Sequence, residues 1–192
     1  MNKKRLIIDF NSPFILGMTA LALVMLGIGF ITNIELARTF GAYRTSILDP
    51  MQYLRLFTHV VVHADLSHYI GNFMMILAIG PMVEEKYGSG RLALMTVVTA
   101  LITGLVIVLF FPRTAVVGAS GIVFMMILLA SFTNIRQGKL PITVPLVAVL
   151  YIGNEIILGL FTTSNISRIS HIVGGLCGAC FGIIFNTKKL KA

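Results

Sequence analysis

Ser120 stands in the run AVVGASGIVF, residues 115–124, between Ala119 and Gly121 and just after Gly118. Small residues beside glycine usually serve close packing between membrane helices. A serine hydroxyl is also a nucleophile once a base takes its proton, and a histidine at hydrogen-bond distance is the commonest base. His171 is the candidate. At ~100° per residue, Gly174, Gly178 and Gly182 fall within about 60° of its line on a helix, so it heads a glycine stripe that invites close approach. Gly118, Ala119, Ser120 and Gly121 form a matching small surface. If the two surfaces meet, packing and chemistry coincide, because close approach brings Ser120 within reach of His171.

Acyl transfer also needs donors for an oxyanion. Ser120 is expected at a helix N-terminus, where unpaired N–H groups and the macrodipole favour negative charge. His68 and Asn72 are four residues apart and about 40° from each other on one helix face, so both can donate toward one point. Each such donor is worth roughly 3 kcal/mol in the transition state.

Other polar residues carry less. His59, His63 and Asp65 precede His68, and His with Asp at short spacing is a metal pattern. Ligands on a helix need a shared face, however, and these histidines are expected to straddle the end of a loop and the start of a helix, so no metal is assigned. Cys177 and Cys180 read C-G-A-C within an apolar run. Three-residue spacing in a helix fits a disulfide poorly, and their expected role is packing. Asn154 and Glu155 interrupt another apolar run. Glu155 orienting His171, gating entry and pairing with a neighbouring helix all stay open, with structural pairing preferred.

The elements that must position these groups follow from composition. Of 192 residues, 57% are hydrophobic and 11% charged, where soluble domains are about half apolar and about one quarter charged. The chain is read as one integral membrane domain over 1–192, with no soluble domain remaining. Apolar runs of about the length that crosses a ~30 Å hydrocarbon core occur at 13–32, 66–83, 92–111, 119–134, 141–161 and 171–185. Residues 33–65 form a long first connection, and the others are short. Six spans put both termini on one side. With the termini inside, ten Lys and Arg lie in cytoplasmic segments and five outside, which favours cytoplasmic termini. The net charge of +8 is then an orientation signal and a fit to anionic lipid, and nucleic acid is excluded as a partner. The first run is too long for a signal-peptide core and lacks a cleavage site, so it is read as a retained span.

In order along the chain, His59, His63, His68 and Asn72 (H-x3-H-x4-H-x3-N), VEEKYGSG from Val83, G-A-S-G from Gly118 and SHIVGGLCG from Ser170 resemble the rhomboid intramembrane serine proteases, in their six-span bacterial form. The resemblance implies an all-α bundle of six transmembrane helices with a water-filled cavity, a Ser120–His171 dyad, no third acid, and no metal or cofactor. It implies that His68, Asn72 and the Ser120 N–H receive the oxyanion, with His59 and His63 supporting. Glu84 matches a structural carboxylate, and Arg55 matches the arginine of a tryptophan-arginine pair in the first connection. Two departures stand out. Leu54 occupies the tryptophan position, and Phe124 stands where many relatives carry a tyrosine beneath the histidine. A phenylalanine ring can stack there without a hydroxyl.

The expected reaction is hydrolysis of transmembrane or juxtamembrane segments of membrane proteins, in contact with lipid, with residues 112–118 or 162–170 and the fifth span as gates. Oligomeric state is not legible. A catalytically silent, client-binding rhomboid-like protein is the rival reading, but such proteins usually lack the serine or the histidine. A transporter is the other rival, and no internal repeat supports it.

Overall fold

The computed structural model describes residues 10–133, 139–161 and 166–190. Among the described residues the order is α1 (Pro13–Thr32), α2 (Leu36–Phe40), β1 (Ala42–Tyr43), α3 (Pro50–Thr58), α4 (Leu66–Tyr87), α5 (Ser89–Phe110), β2 (Ala115–Val116), α6 (Ser120–Ser131), α7 (Thr143–Phe161) and α8 (Ile166–Leu190). By length and composition α1, α4, α5 and the Arg168–Asn186 part of α8 can each cross a membrane. Apolar side chains such as Ile31, Met74 and Val149 face outward, as a lipid-facing perimeter requires, while Phe73, Ile76, Met95, Ile122 and Met125 fill the interior.

α1 covers the expected 13–32. Pro13 suits its first turn and Asn33 ends it in the left-handed region at φ 54°. Its N-cap Ser12 makes no side-chain cap. The cap comes instead from Glu84 of α4, whose carboxylate accepts from Phe14 N at 2.9 Å and Ile15 N at 3.0 Å.

α4 and α5 outrun their apolar stretches. The expected connection over 84–91 shrinks to Gly88, whose φ of 84° reverses the chain in a region that glycine tolerates. α8 likewise begins at Ile166, so His171 lies inside the helix instead of opening it. Polar residues continue these helices where hydropathy alone marks an end.

The first connection is not a plain loop. It folds as α2, β1 and α3, and β1 pairs antiparallel with β2, Ala42 opposite Val116 and Tyr43 opposite Ala115. α3 starts at Asp49-Pro50, where Asp49 Oδ1 accepts from Met51 N at 2.9 Å and proline suits the first position. It lies directly on α5, since a Cβ on Gly104 would stand 2.9 Å from Leu56 Cα.

α6 is short, and this matters for chemistry. Its 12 residues reach ~18 Å at 1.5 Å per residue, against a ~30 Å core. Lys86, in the last turn of α4, donates to Thr133 O at 2.7 Å, so the C-terminal end of α6 sits at a charged boundary. α6 alone therefore falls short of crossing a core of that thickness.

Candidate active site

α6 and α8 meet backbone to backbone. A Cβ on Gly174 would overlap the carbonyl of Gly121, and one on Gly178 the carbonyl of Met125. Both helices advance four residues between these contacts, so they run parallel with the glycine stripe as the seam. His171, three residues before Gly174, stacks flat on Phe124, with ring centroids 4.3 Å apart and planes 7° from parallel. Phe124 follows Ser120 by one turn, which sets the imidazole against the first turn of α6 on the serine's side. Tyr151 of α7 meets the Phe124 ring edge-on at 5.9 Å.

Immediately before Ser120 the chain passes through Gly118 at φ 104°. A Cβ there would lie 2.5 Å from His68 Cε1 and 3.2 Å from Asn72 Nδ2. Glycine is thus required twice, by conformation and by space. The same closeness puts His68 and Asn72, one turn apart on α4, against the approach to Ser120. Among the described residues Asn72 Nδ2 is buried and makes no hydrogen bond, which leaves a donor in place for an acceptor that arrives. His68 and His171 are also close enough to act on each other electrostatically.

His59 and His63 hold this approach. Gly118 N donates to the His59 carbonyl at 2.9 Å, and Ala119 N donates to His63 Nε2 at 3.3 Å. His59 Nδ1 contacts the Arg55 carbonyl at 3.2 Å; a carbonyl can only accept, so that nitrogen carries the proton. Burial pushes both imidazoles down to about 4, and at His63 the charge of His68 adds to it. Both are neutral at pH 7, as an accepting Nε2 requires. His63 packs edge-on against His68 at 5.1 Å and Tyr69 at 5.6 Å.

The first connection anchors the other side. Arg55 donates from Nε to the Thr39 carbonyl at 2.9 Å, pairs with Asp49 at 3.2 Å and lies over the Tyr43 ring at 4.4 Å. Tyr43 belongs to β1, β1 pairs with β2, and β2 leads into Gly118. Asp49 and Tyr43 are parts of this chain that sequence reasoning missed, although Asp49-Pro50 is a legible helix start. Leu54 is exposed. Asp65 caps α4, accepting from His68 N at 2.8 Å. Cys177 is buried, Cys180 is exposed, and both are free thiols. The side chains of Asn154 and Glu155 lie outside the described residues, as do residues 162–165.

Residues 50–188, well over half of the chain, match the family model described as the Rhomboid domain. The chain belongs to the rhomboid family. This rhomboid is 32% identical over 154 residues to Rhomboid protease GluP of Bacillus subtilis strain 168, covering 78% of this chain and 29% of that protein. It is 42% identical over 52 residues to Rhomboid protease GlpG of Salmonella choleraesuis strain SC-B67, covering 27% of this chain and 19% of that one. The chain thus spans less than a third of the length of these curated relatives. The rhomboid match opens at Pro50, the first residue of α3, so it includes the segment that steadies β1 as well as the helices that carry Ser120 and His171. With its long apolar helices, this rhomboid is an integral membrane protein.

Proposed function

We propose that this rhomboid is an intramembrane serine endopeptidase working through a Ser120–His171 dyad. The observation that carries the proposal is the seam of Gly121 and Gly174, together with the flat stack of His171 on Phe124. These set an imidazole beside the first turn of α6. Ser120 attacks a peptide carbonyl and His171 takes its proton. The oxyanion is received by His68, Asn72 and the Ser120 N–H at the N-terminus of α6. His171 then protonates the leaving amine, and water releases the acyl-enzyme by the reverse use of the same base.

Substrates are transmembrane or juxtamembrane segments of other membrane proteins. A peptide bond in a membrane helix is shielded by its own hydrogen bonds, so weakly helical segments with a small residue at the cut are favoured. Six spans with both termini cytoplasmic fit the distribution of Lys and Arg. In this reading α1, α4 and α5 are the first three spans and α6, α7 and α8 the last three.

The deciding experiment labels purified protein with a fluorophosphonate serine probe. Wild type takes up label, whereas Ser120→Ala and His171→Ala do not. A folded wild type that neither labels nor cleaves any membrane substrate favours the silent, client-binding alternative.

A further inference from the structure

A cavity of about 640 Å³ opens between the C-terminal end of α1, α2 and the segments carrying His63 and Val117. Most of its wall is apolar, including Met25, Leu26, Phe30 and Ile34, while Glu35 and Arg38 supply charge. The left-handed Asn33 turns the chain back at the end of α1, and that reversal brings α2 beside the helix it has just left. Because α1 is a membrane-length helix, its end lies where hydrocarbon gives way to headgroups. An apolar wall and a charged rim meet at that level.

Glu35 and Arg38 are both exposed and form no ion pair with each other. One carboxylate and one guanidinium, three residues apart on a single turn, match a headgroup carrying both charges. Arg38 suits a phosphate. Glu35 suits an ammonium that can donate hydrogen bonds, which a primary ammonium does and a trimethylammonium cannot. The apolar wall suits the start of an acyl chain.

We propose that this cavity is a specific site for a phospholipid with a zwitterionic, primary-amine headgroup of the phosphatidylethanolamine class. Arg38 holds the phosphate, Glu35 holds the ammonium, and Phe30 and its apolar neighbours cover the first part of an acyl chain. His63, whose Nε2 holds Ala119, is also a wall of the cavity, so the bound lipid lies against the residue that steadies the approach to Ser120. The site depends on the membrane setting alone and stands apart from the proposed protease activity.

The chain contains no tryptophan, so one introduced indole reports on one place. Phe30→Trp puts it in the cavity wall. Phe110→Trp puts it on the lipid-facing end of α5, which starts beside the α1 N-terminus at Glu84 and ends at a matching level. Each variant is reconstituted into phosphatidylcholine vesicles containing dibrominated phosphatidylethanolamine or dibrominated phosphatidylcholine. At position 30 the ethanolamine lipid is expected to associate about fivefold more strongly than the choline lipid, the size of one additional net hydrogen bond. At position 110 the two lipids quench alike. Glu35→Gln added to Phe30→Trp removes the preference, whereas Arg38→Gln weakens both lipids alike and leaves the preference in place. Equal quenching by both lipids at position 30 overturns the site and leaves ordinary annular lipid. Native mass spectrometry of the wild type, which needs no indole, gives an independent result. Ethanolamine lipid should be retained over choline lipid and lost in Glu35→Gln, and equal retention overturns the proposal.

Discussion

Gly121 and Gly174 touch through their backbones, and no side chain separates α6 from α8 at that point. The contact lies one residue after Ser120 and three after His171. Gly174→Ala must part the helices, because the added methyl would occupy the space of the Gly121 carbonyl. A displacement of about 1 Å costs on the order of 10²-fold in rate where two reacting groups must be aligned. Fluorophosphonate labelling of Gly174→Ala is therefore expected to slow by that order while the protein remains folded. Gly71→Ala is the control: nothing lies within 4 Å of a Cβ there, and replacing glycine in a helix adds up to about 1 kcal/mol of stability. Equal labelling rates in the two variants would remove the seam from the mechanism.

Glu84 ties α1 to the rest of the bundle. It is 3% exposed and receives the N–H groups of Phe14 and Ile15 and the Ser89 hydroxyl at 2.6 Å. A carboxylate at a helix N-terminus satisfies unpaired donors and the dipole together. Glu84→Ala leaves buried donors unmade and is expected to destabilise by about 3 kcal/mol. Glu84→Gln keeps an acceptor oxygen and should lose less. Thermal unfolding in detergent ranks the two, and an unchanged midpoint in Glu84→Ala contradicts the capping role.

The parts legible in the sequence were those with a period or a punctuating residue. The stripe from Gly174 to Gly182 recurs every four residues, and α1 is bracketed by Pro13 and Asn33. The pairing of Ala42 with Val116 was not legible, since two-residue strands have no period and their partners are far apart in the chain. The service of Glu84 to Phe14 crosses two helices in the same way. Hydropathy averages out a short amphipathic helix such as α3, although Asp49-Pro50 announces its start. Hydropathy starts α8 too late because Arg168 and Ser170 are polar yet helical. The positive φ at Gly118 that brings its backbone against His68 and Asn72 has no period to announce it.

Arg55 joins α3 to β1 through Asp49, Thr39 and Tyr43. Arg55→Lys keeps the charge but loses the planar fork, so one of these contacts at most survives. The variant is expected to be less stable by about 1 kcal/mol, and Arg55→Ala by about 2 kcal/mol. Because β1 pairs with β2 just before Gly118, both should also slow probe labelling. Loss of stability with labelling unchanged would confine Arg55 to holding the first connection.

His59 and His63 make stability depend on pH in a calculable direction. Each is held near 4 in the folded protein, from a usual 6.5, mainly because burial penalises the charged form. Between those values the unfolded chain binds more protons than the folded one, so stability rises with pH through that window. On acidification it falls, beginning near 6.5 and levelling below about 4 as the folded imidazoles also titrate. Protonated His63 could no longer accept from Ala119 N–H, so the approach to Ser120 loosens as the protein weakens. His63→Gln keeps a side-chain acceptor without titrating in this range. Unfolding midpoints of wild type and His63→Gln measured from pH 7 to pH 4 should converge as pH falls, because only the wild type loses the contribution of this histidine. Parallel curves would assign the acid sensitivity elsewhere.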